Sequence, residues 1–267
     1  CVQMLDGIEN PENVTFDFCF STQEHYEKID WEYFKKTYEP FFKAAWVGSN
    51  VDMLNCVYEN KISIKGFHPA NHIYRFKTTD QPFYNIADAR RDVNDRYCTE
   101  ADIIMWGECD SLYPKQTLYL LEALHENVKD KTPKYIVNFS DRKLWDNSFA
   151  PCHPMFENAI INDDLEDEAS GKSYMSLERM NEINDIPMED VIVDVFNEPR
   201  FDGSCVAFSS ELLKSGVNIP RSLILTGEDT SIGIIAKKLM GNNFVQYNFK
   251  NILHVHNRRH PNKRTGI

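Results

Sequence analysis

The sequence predicts an α/β sandwich with a mainly parallel central sheet. Three observations lead there. Short apolar runs of strand length alternate with stretches of helical spacing. Residues 101–106 (ADIIMW) and 134–139 bracket a helical pattern at 115–127, giving strand, helix, strand in sequence. The 267 residues are 42% hydrophobic, enough for one large domain or two small ones and too apolar for disorder.

Along the chain, residues 15–21 (TFDFCFS) form the opening strand, with Phe16, Phe18 and Phe20 on one face. Residues 26–45 have helical spacing, 51–58 suit a helix and 61–64 a short strand. A polar helix spans 85–97 and runs into the apolar strand 101–106. Pro114 opens the helix 115–127, with Leu118, Leu121 and Leu124 directed inward. Residues 156–190 change character, with eleven acids against Lys172 and Arg179, and read as an acidic, partly irregular insertion. Strands resume at 191–196 and 203–209. A helix at 231–239 ends at Gly241, and 245–247 and 252–256 are the final strands.

Net charge is −12, which argues against a protein held to nucleic acid by its overall field. No apolar run reaches the length of a membrane span, and no secretory leader is visible. The seven cysteines are dispersed with no CxxC pair, as in a reduced, cytoplasmic protein. The chain opens on Cys1 inside a helix-like pattern, which implies further residues before it.

Four segments carry chemistry. The strand 101–106 runs straight into Glu108-Cys109-Asp110. Carboxylates beyond the carboxyl end of a strand in an α/β sheet can hold Mg²⁺ or Mn²⁺ together with substrate phosphates. The plainer reading is a polar turn that ends the strand. Arg90 and Arg91, on the preceding helix, could meet a phosphate or simply form charge pairs on a solvated face. Glu228 and Asp229 precede an apolar helix. Asp229 or Thr230 could cap it, or one carboxylate could deprotonate an acceptor hydroxyl while the other binds the acceptor. His254 and His256 lie on one face of a strand and lead into Arg258, Arg259, Lys263 and Arg264, a cationic strip suited to a diphosphate and its metal. A pair of surface histidines is the alternative, and a zinc site is disfavoured without nearby cysteine.

In order, NIADARRD, ADIIMWGECDSLYPKQTLYLLEAL, FDGSCVAFSSELLKSGV, GEDTSIGIIAKKLMG and ILHVHNRR resemble the GT-A-fold glycosyltransferases, particularly the family-2-like nucleotide-sugar group. The resemblance covers about residues 83–128 and 200–260. It implies a single Rossmann-like GT-A domain over 1–267, with a nucleotide-sugar half at 1–128 and an acceptor half at 129–267. Glu108-Cys109-Asp110 falls at the DxD metal motif, with Glu in place of the first Asp, which makes Asp110 the safer ligand. Glu108, His254 and His256 are the other candidate ligands. Arg90, Arg91, Arg258 and Arg259 are candidate donor-binding cations. Asp229 becomes the general base of an inverting enzyme, and Glu228 holds the acceptor. The implied partners are Mn²⁺ or Mg²⁺, a nucleotide sugar (UDP-sugar foremost), and a glycan or other hydroxyl acceptor, a modified DNA base among them. The rival expectations are a non-catalytic glycan- or nucleotide-binding module and a nucleotidyltransferase, although no Gly-rich phosphate loop follows the first strand.

Overall fold

Side-chain alternation along the long strands decides the architecture, because it gives the central sheet two faces to cover. The structure, a computed structural model, describes residues 14–19, 73–77, 86–108, 111–143, 154–156, 165–167, 172–197, 201–223 and 227–256. Contacts divide the chain into a unit of residues 10–89 and a unit made chiefly of residues 90–267. In the first, β1 (Thr15–Cys19) pairs in parallel with β2 (Ile73–Lys77), Thr15 opposite Ile73. The predicted elements at 26–45, 51–58 and 61–64 lie outside the described residues.

The larger unit is built on a six-stranded sheet. Its strands are β3 (Ile103–Gly107), β4 (Ser111–Leu112), β5 (Tyr135–Lys143), β8 (Val193–Val195), β9 (Cys205–Ser209) and β10 (Val245–His256). The order is β3-β9-β5-β10-β4, with β8 also on β10. Within this sheet only β5 and β10 pair in parallel. β9 runs antiparallel to both β3 and β5, and β4 and β8 run antiparallel to β10. The sheet is therefore mixed, which corrects the expectation of a mainly parallel one. Strand–helix alternation suggests crossovers, but β9 is reached after a long excursion and enters between β3 and β5 in the reverse direction. A small antiparallel pair, β6 (Leu165–Asp167) and β7 (Lys172–Tyr174), lies within that excursion.

Helix α1 (Ile86–Tyr97) precedes β3, with Asp88 in its first turn and Arg96 in its last, each favourable to the helix dipole. Helix α2 (Thr117–Val128) covers one face of the sheet. Its buried residues are Thr117, Leu120, Leu121 and Leu124, spaced i, i+3, i+4, i+7. Leu118, expected inward, is only partly buried, because a strict three-residue step drifts off the face that a 3.6-residue turn presents. The stripe packs on Tyr135, Val137 and Phe139 of β5, Ala207 of β9, and Phe249 and Ile252 of β10. Phe139 and Phe249 stack at 5.1 Å between centroids.

The described residues of the acidic segment include regular structure. The segment contains α3 (Leu177–Ile183), capped by Ser176, whose hydroxyl accepts from the Arg179 amide at 3.1 Å. Met180 is fully buried against Leu253 and Val255 of β10. Asn184 then clasps β10, accepting from the Leu253 amide at 2.6 Å and donating to its carbonyl at 2.8 Å. A short helix, α4 (Ser210–Lys214), follows β9, and α5 (Glu228–Met240) begins three residues earlier than expected. The final strands are one strand, β10, with a register shift between Phe249 and Leu253. Among the described residues no helix is long and apolar enough to cross a membrane.

Candidate functional site

The carboxyl end of β3 meets the turn before β9, the start of α5 and the end of β10. Arg90 reaches this junction from α1 and is buried. Its guanidinium lies 5.0 Å from the centre of the Trp106 ring, and Trp106 in turn donates to Asn94 of α1 at 3.0 Å. Nη2 of Arg90 donates to Glu108 Oε1 and to the Gly203 carbonyl, both at 2.8 Å, and Nη1 pairs with Glu228. One cation thus ties three distant segments together.

Glu108 faces His256 with its other oxygen, at 3.2 Å from Nε2. The opposite ring nitrogen of His256 lies 3.2 Å from Asp202 Oδ2. Each ring nitrogen of His256 therefore faces a carboxylate oxygen. Burial works to raise the pKa of Glu108, but the His256 bond and the Arg90 charge outweigh it and hold the carboxyl below its ordinary range. Glu228 moves the other way: burial raises its pKa, with Arg90 opposing.

Glu228 and Asp229 occupy the first turn of α5, where carboxylates suit the dipole. The cap is neither Asp229 nor Thr230, the two residues the sequence offered. It is Gly227, whose φ of 88° is a left-handed conformation that glycine adopts without strain. Asp229 is half-buried, accepting from the Thr230 amide at 2.6 Å and from the Gly203 amide at 3.2 Å. Gly203 permits this convergence. A Cβ there would lie 2.5 Å from Arg90 Nη1 and 3.0 Å from Asp229 Cβ.

The structure separates the remaining predicted residues. Arg91 is turned away, its guanidinium bonded to the carbonyls of Ile219 and Pro220 at 2.9 Å. Lys250, which lies on β10 before the cationic strip, pairs with Asp194 at 2.8 Å. Asp110, Arg258, Arg259 and Lys263 lie outside the described residues. His254 is fully buried, its Nδ1 2.5 Å from Asp141 Oδ1, with the Tyr113 ring 5.2 Å away between centroids. Its Nε2 has no hydrogen-bond partner, nor does Asp141 Oδ2. Burial pushes the pKa of Asp141 up to about 6, with His254 opposing.

Among the described residues, no group of three or more His, Cys, Asp or Glu side chains is disposed to hold a metal ion. Both oxygens of Glu108 and both ring nitrogens of His256 are engaged. Among the described candidate ligands, His254 differs in leaving its Nε2 without a hydrogen-bond partner. Sequence reasoning missed Asp141 and the roles of Asp202, Tyr113 and Trp106. Tyr113 accepts from the Glu108 amide at 2.8 Å and donates to the Ser204 carbonyl, fixing the loop after β3 to the turn before β9. Aspartates inside FSDRK and FDGS carry no local signal, because their partners come from β10.

No family model and no curated protein matches the sequence. Among solved structures, the chain is similar to the crystal structure of S. aureus TarS 1-349, with a TM-score of 0.40 and 8% identity. That likeness covers 88% of this chain and spans 60% of the TarS chain's length, and it is too slight to assign a fold.

Proposed function

We propose that this chain is a glycosyltransferase of the GT-A kind, moving a sugar from a nucleotide-sugar donor, a UDP-sugar foremost, to an acceptor hydroxyl. One observation carries the reading. Motif order alone assigned three segments to donor, metal and base; Arg90 lies 18 residues from Glu108 but 113 and 138 residues from Gly203 and Glu228. They meet through Arg90, which bonds Glu108, Gly203 and Glu228, with Asp229 on the same turn. A solvated helix, a strand-ending turn and an ordinary cap have no reason to converge.

In this reading Asp229 takes the acceptor proton. Its two backbone bonds aim the carboxylate while leaving lone pairs to accept a hydroxyl. The hydroxyl oxygen attacks the anomeric carbon as the bond from that carbon to the diphosphate oxygen breaks. The electron pair departs with the nucleoside diphosphate. Glu228, paired with Arg90 through one oxygen, positions the start of α5 and would hold the acceptor beside Asp229. Asp110 and His254 would hold a divalent cation, Mn²⁺ or Mg²⁺, which supplies Lewis-acid stabilisation of the leaving diphosphate. Arg258 and Arg259, by their charge, would contribute to binding the donor diphosphate. A glycan is the leading acceptor.

The test is incubation with Mn²⁺ and a panel of nucleotide sugars, followed by detection of free nucleoside diphosphate and of the product's anomeric configuration. Release with inversion is expected. Pyrophosphate release instead identifies a nucleotidyltransferase, and binding without turnover a non-catalytic module. Asp229→Asn should retain donor binding and lose about 10²–10⁴ in rate, the usual worth of a general base. Full turnover by that variant removes Asp229 from the role.

A further inference from the structure

We propose that a cavity at the carboxyl end of α5 holds one sugar ring of the acceptor glycan, remote from the hydroxyl that reacts. The cavity, of about 150 Å³, lies between the last turns of α5 and the first residues of β10. A cavity of comparable size can take a six-membered ring. Asn197, Asn242 and Gln246 bring three amides to it, Lys237 a cation and Phe244 an apolar wall. Among the described residues no carboxylate lines it. An amide both donates and accepts, as a sugar hydroxyl does, so this lining matches a polyhydroxylated ring better than an apolar or a cationic ligand.

Packing does not account for Gln246, which is only 8% exposed. Its Nε2 donates to Asn138 Oδ1 at 3.0 Å, and nothing among the described residues donates to its Oε1. Asn248, on the same face of β10, and Asn138, opposite it on β5, carry further unpartnered atoms, Oδ1 and Nδ2. A buried acceptor without a donor is costly, and a ligand hydroxyl would remove that cost at Gln246. Lys237 likewise has no carboxylate partner among the described residues. The position of the cavity points to the acceptor. Asp229, Gly233 and Lys237 recur at i, i+4 and i+8, so the side of α5 that carries Asp229 continues through a glycine to the cavity. The helical rise places Lys237 about 12 Å along the axis from Asp229, so an acceptor that reaches both has more than one sugar. The inference rests on the glycan acceptor proposed above.

The full chain, without donor, is applied to a printed array of neutral and acidic oligosaccharides, and the strongest binder is titrated by calorimetry. Binding is expected, and it should weaken about tenfold in the double variant Lys237→Ala, Asn242→Ala, the worth of one or two hydrogen bonds. Both positions are exposed, so this variant should fold. In ¹H–¹⁵N spectra of the wild type the same oligosaccharide should shift the Gln246 side-chain amide, assigned from Gln246→Leu. An array without binders overturns the inference, as does full affinity in the double variant or an unmoved Gln246 amide. With donor present, KM should fall as the acceptor lengthens, and the double variant should lose that fall. Transfer whose KM ignores acceptor length sinks the cavity and leaves the transferase. An oligosaccharide that binds through Lys237 and Asn242 in a chain that transfers no sugar sinks the transferase and leaves the cavity as a glycan site.

Discussion

One face of the β5–β10 pair has two ends that obey different rules. At one end Tyr135, Val137 and Phe139 on β5 meet Phe249 and Ile252 on β10 beneath α2. At the other, the same faces continue as Asp141 on β5 and as His254 and His256 on β10. Both ends are equally shielded from water. The apolar end gains from being dry, because area removed from water is its source of stability. The polar end is dry at a cost, and each charge there is tolerated through a partner. The register shift between Phe249 and Leu253 lies between the two ends, where the strand changes from filling a core to supplying functional groups.

Single truncations should cost both ends about equally, for opposite reasons. Phe139→Ala leaves a cavity worth about 3–5 kcal/mol. Arg90→Ala strands buried Glu228 and costs a similar ~3–5 kcal/mol. Denaturant titration of the two variants measures this. The comparison sharpens with the double variant Arg90→Met, Glu228→Met. Replacing a buried ion pair by apolar side chains is often neutral, so this double variant should recover most of the loss from Arg90→Ala while transfer stays abolished. If the double variant is as unstable as Arg90→Ala, the polar end is holding the fold together much as the core does.

A smaller effect is expected at Gly203, where Gly203→Ala pushes a methyl against Arg90 and Asp229. Overpacking of that kind costs about 1–3 kcal/mol, and here it should also lower transfer by displacing Asp229. Unaltered activity would show that the turn moves freely. The smallest effect is on pH dependence. With the Asp141 pKa raised to about 6, the folded state holds more proton than the unfolded chain between its ordinary value near 3.8 and that point. Asp141 therefore makes stability fall as pH rises through that window, and Asp141→Asn should flatten the fall in melting temperature. Glu108, held low, acts in the opposite sense below its ordinary value of 4.5, with stability lost as pH drops. An unchanged melting profile in Asp141→Asn would show that burial does not shift this carboxyl.

Several elements were legible in the sequence from short-range rules. The apolar run after Ala101 became β3, the Leu-rich run after Pro114 became α2, and the polar stretch ending at Tyr97 became α1. Each depends on side-chain periodicity and on breakers, which act over one or two turns of chain. Arg90, Glu108, Glu228, Asp229, His254 and His256 were legible as candidates because their residue types and order are local facts. Composition also described 156–190 correctly as acidic, yet it hid Met180 and Asn184, which anchor that segment to β10.

Tertiary structure alone decided the direction of β9, which makes the sheet mixed, and the partner of every buried charge. Strand direction depends on the path of a long connection, which local pattern does not encode. Partner choice depends on which distant segments share a dry volume. It turned Arg90 into a hub, sent Arg91 to the carbonyls of Ile219 and Pro220, and set Asp141 beside His254. The physical reason is range. Propensity and periodicity act between neighbours in sequence, whereas desolvation makes a buried charge take whatever counter-group the fold brings within reach.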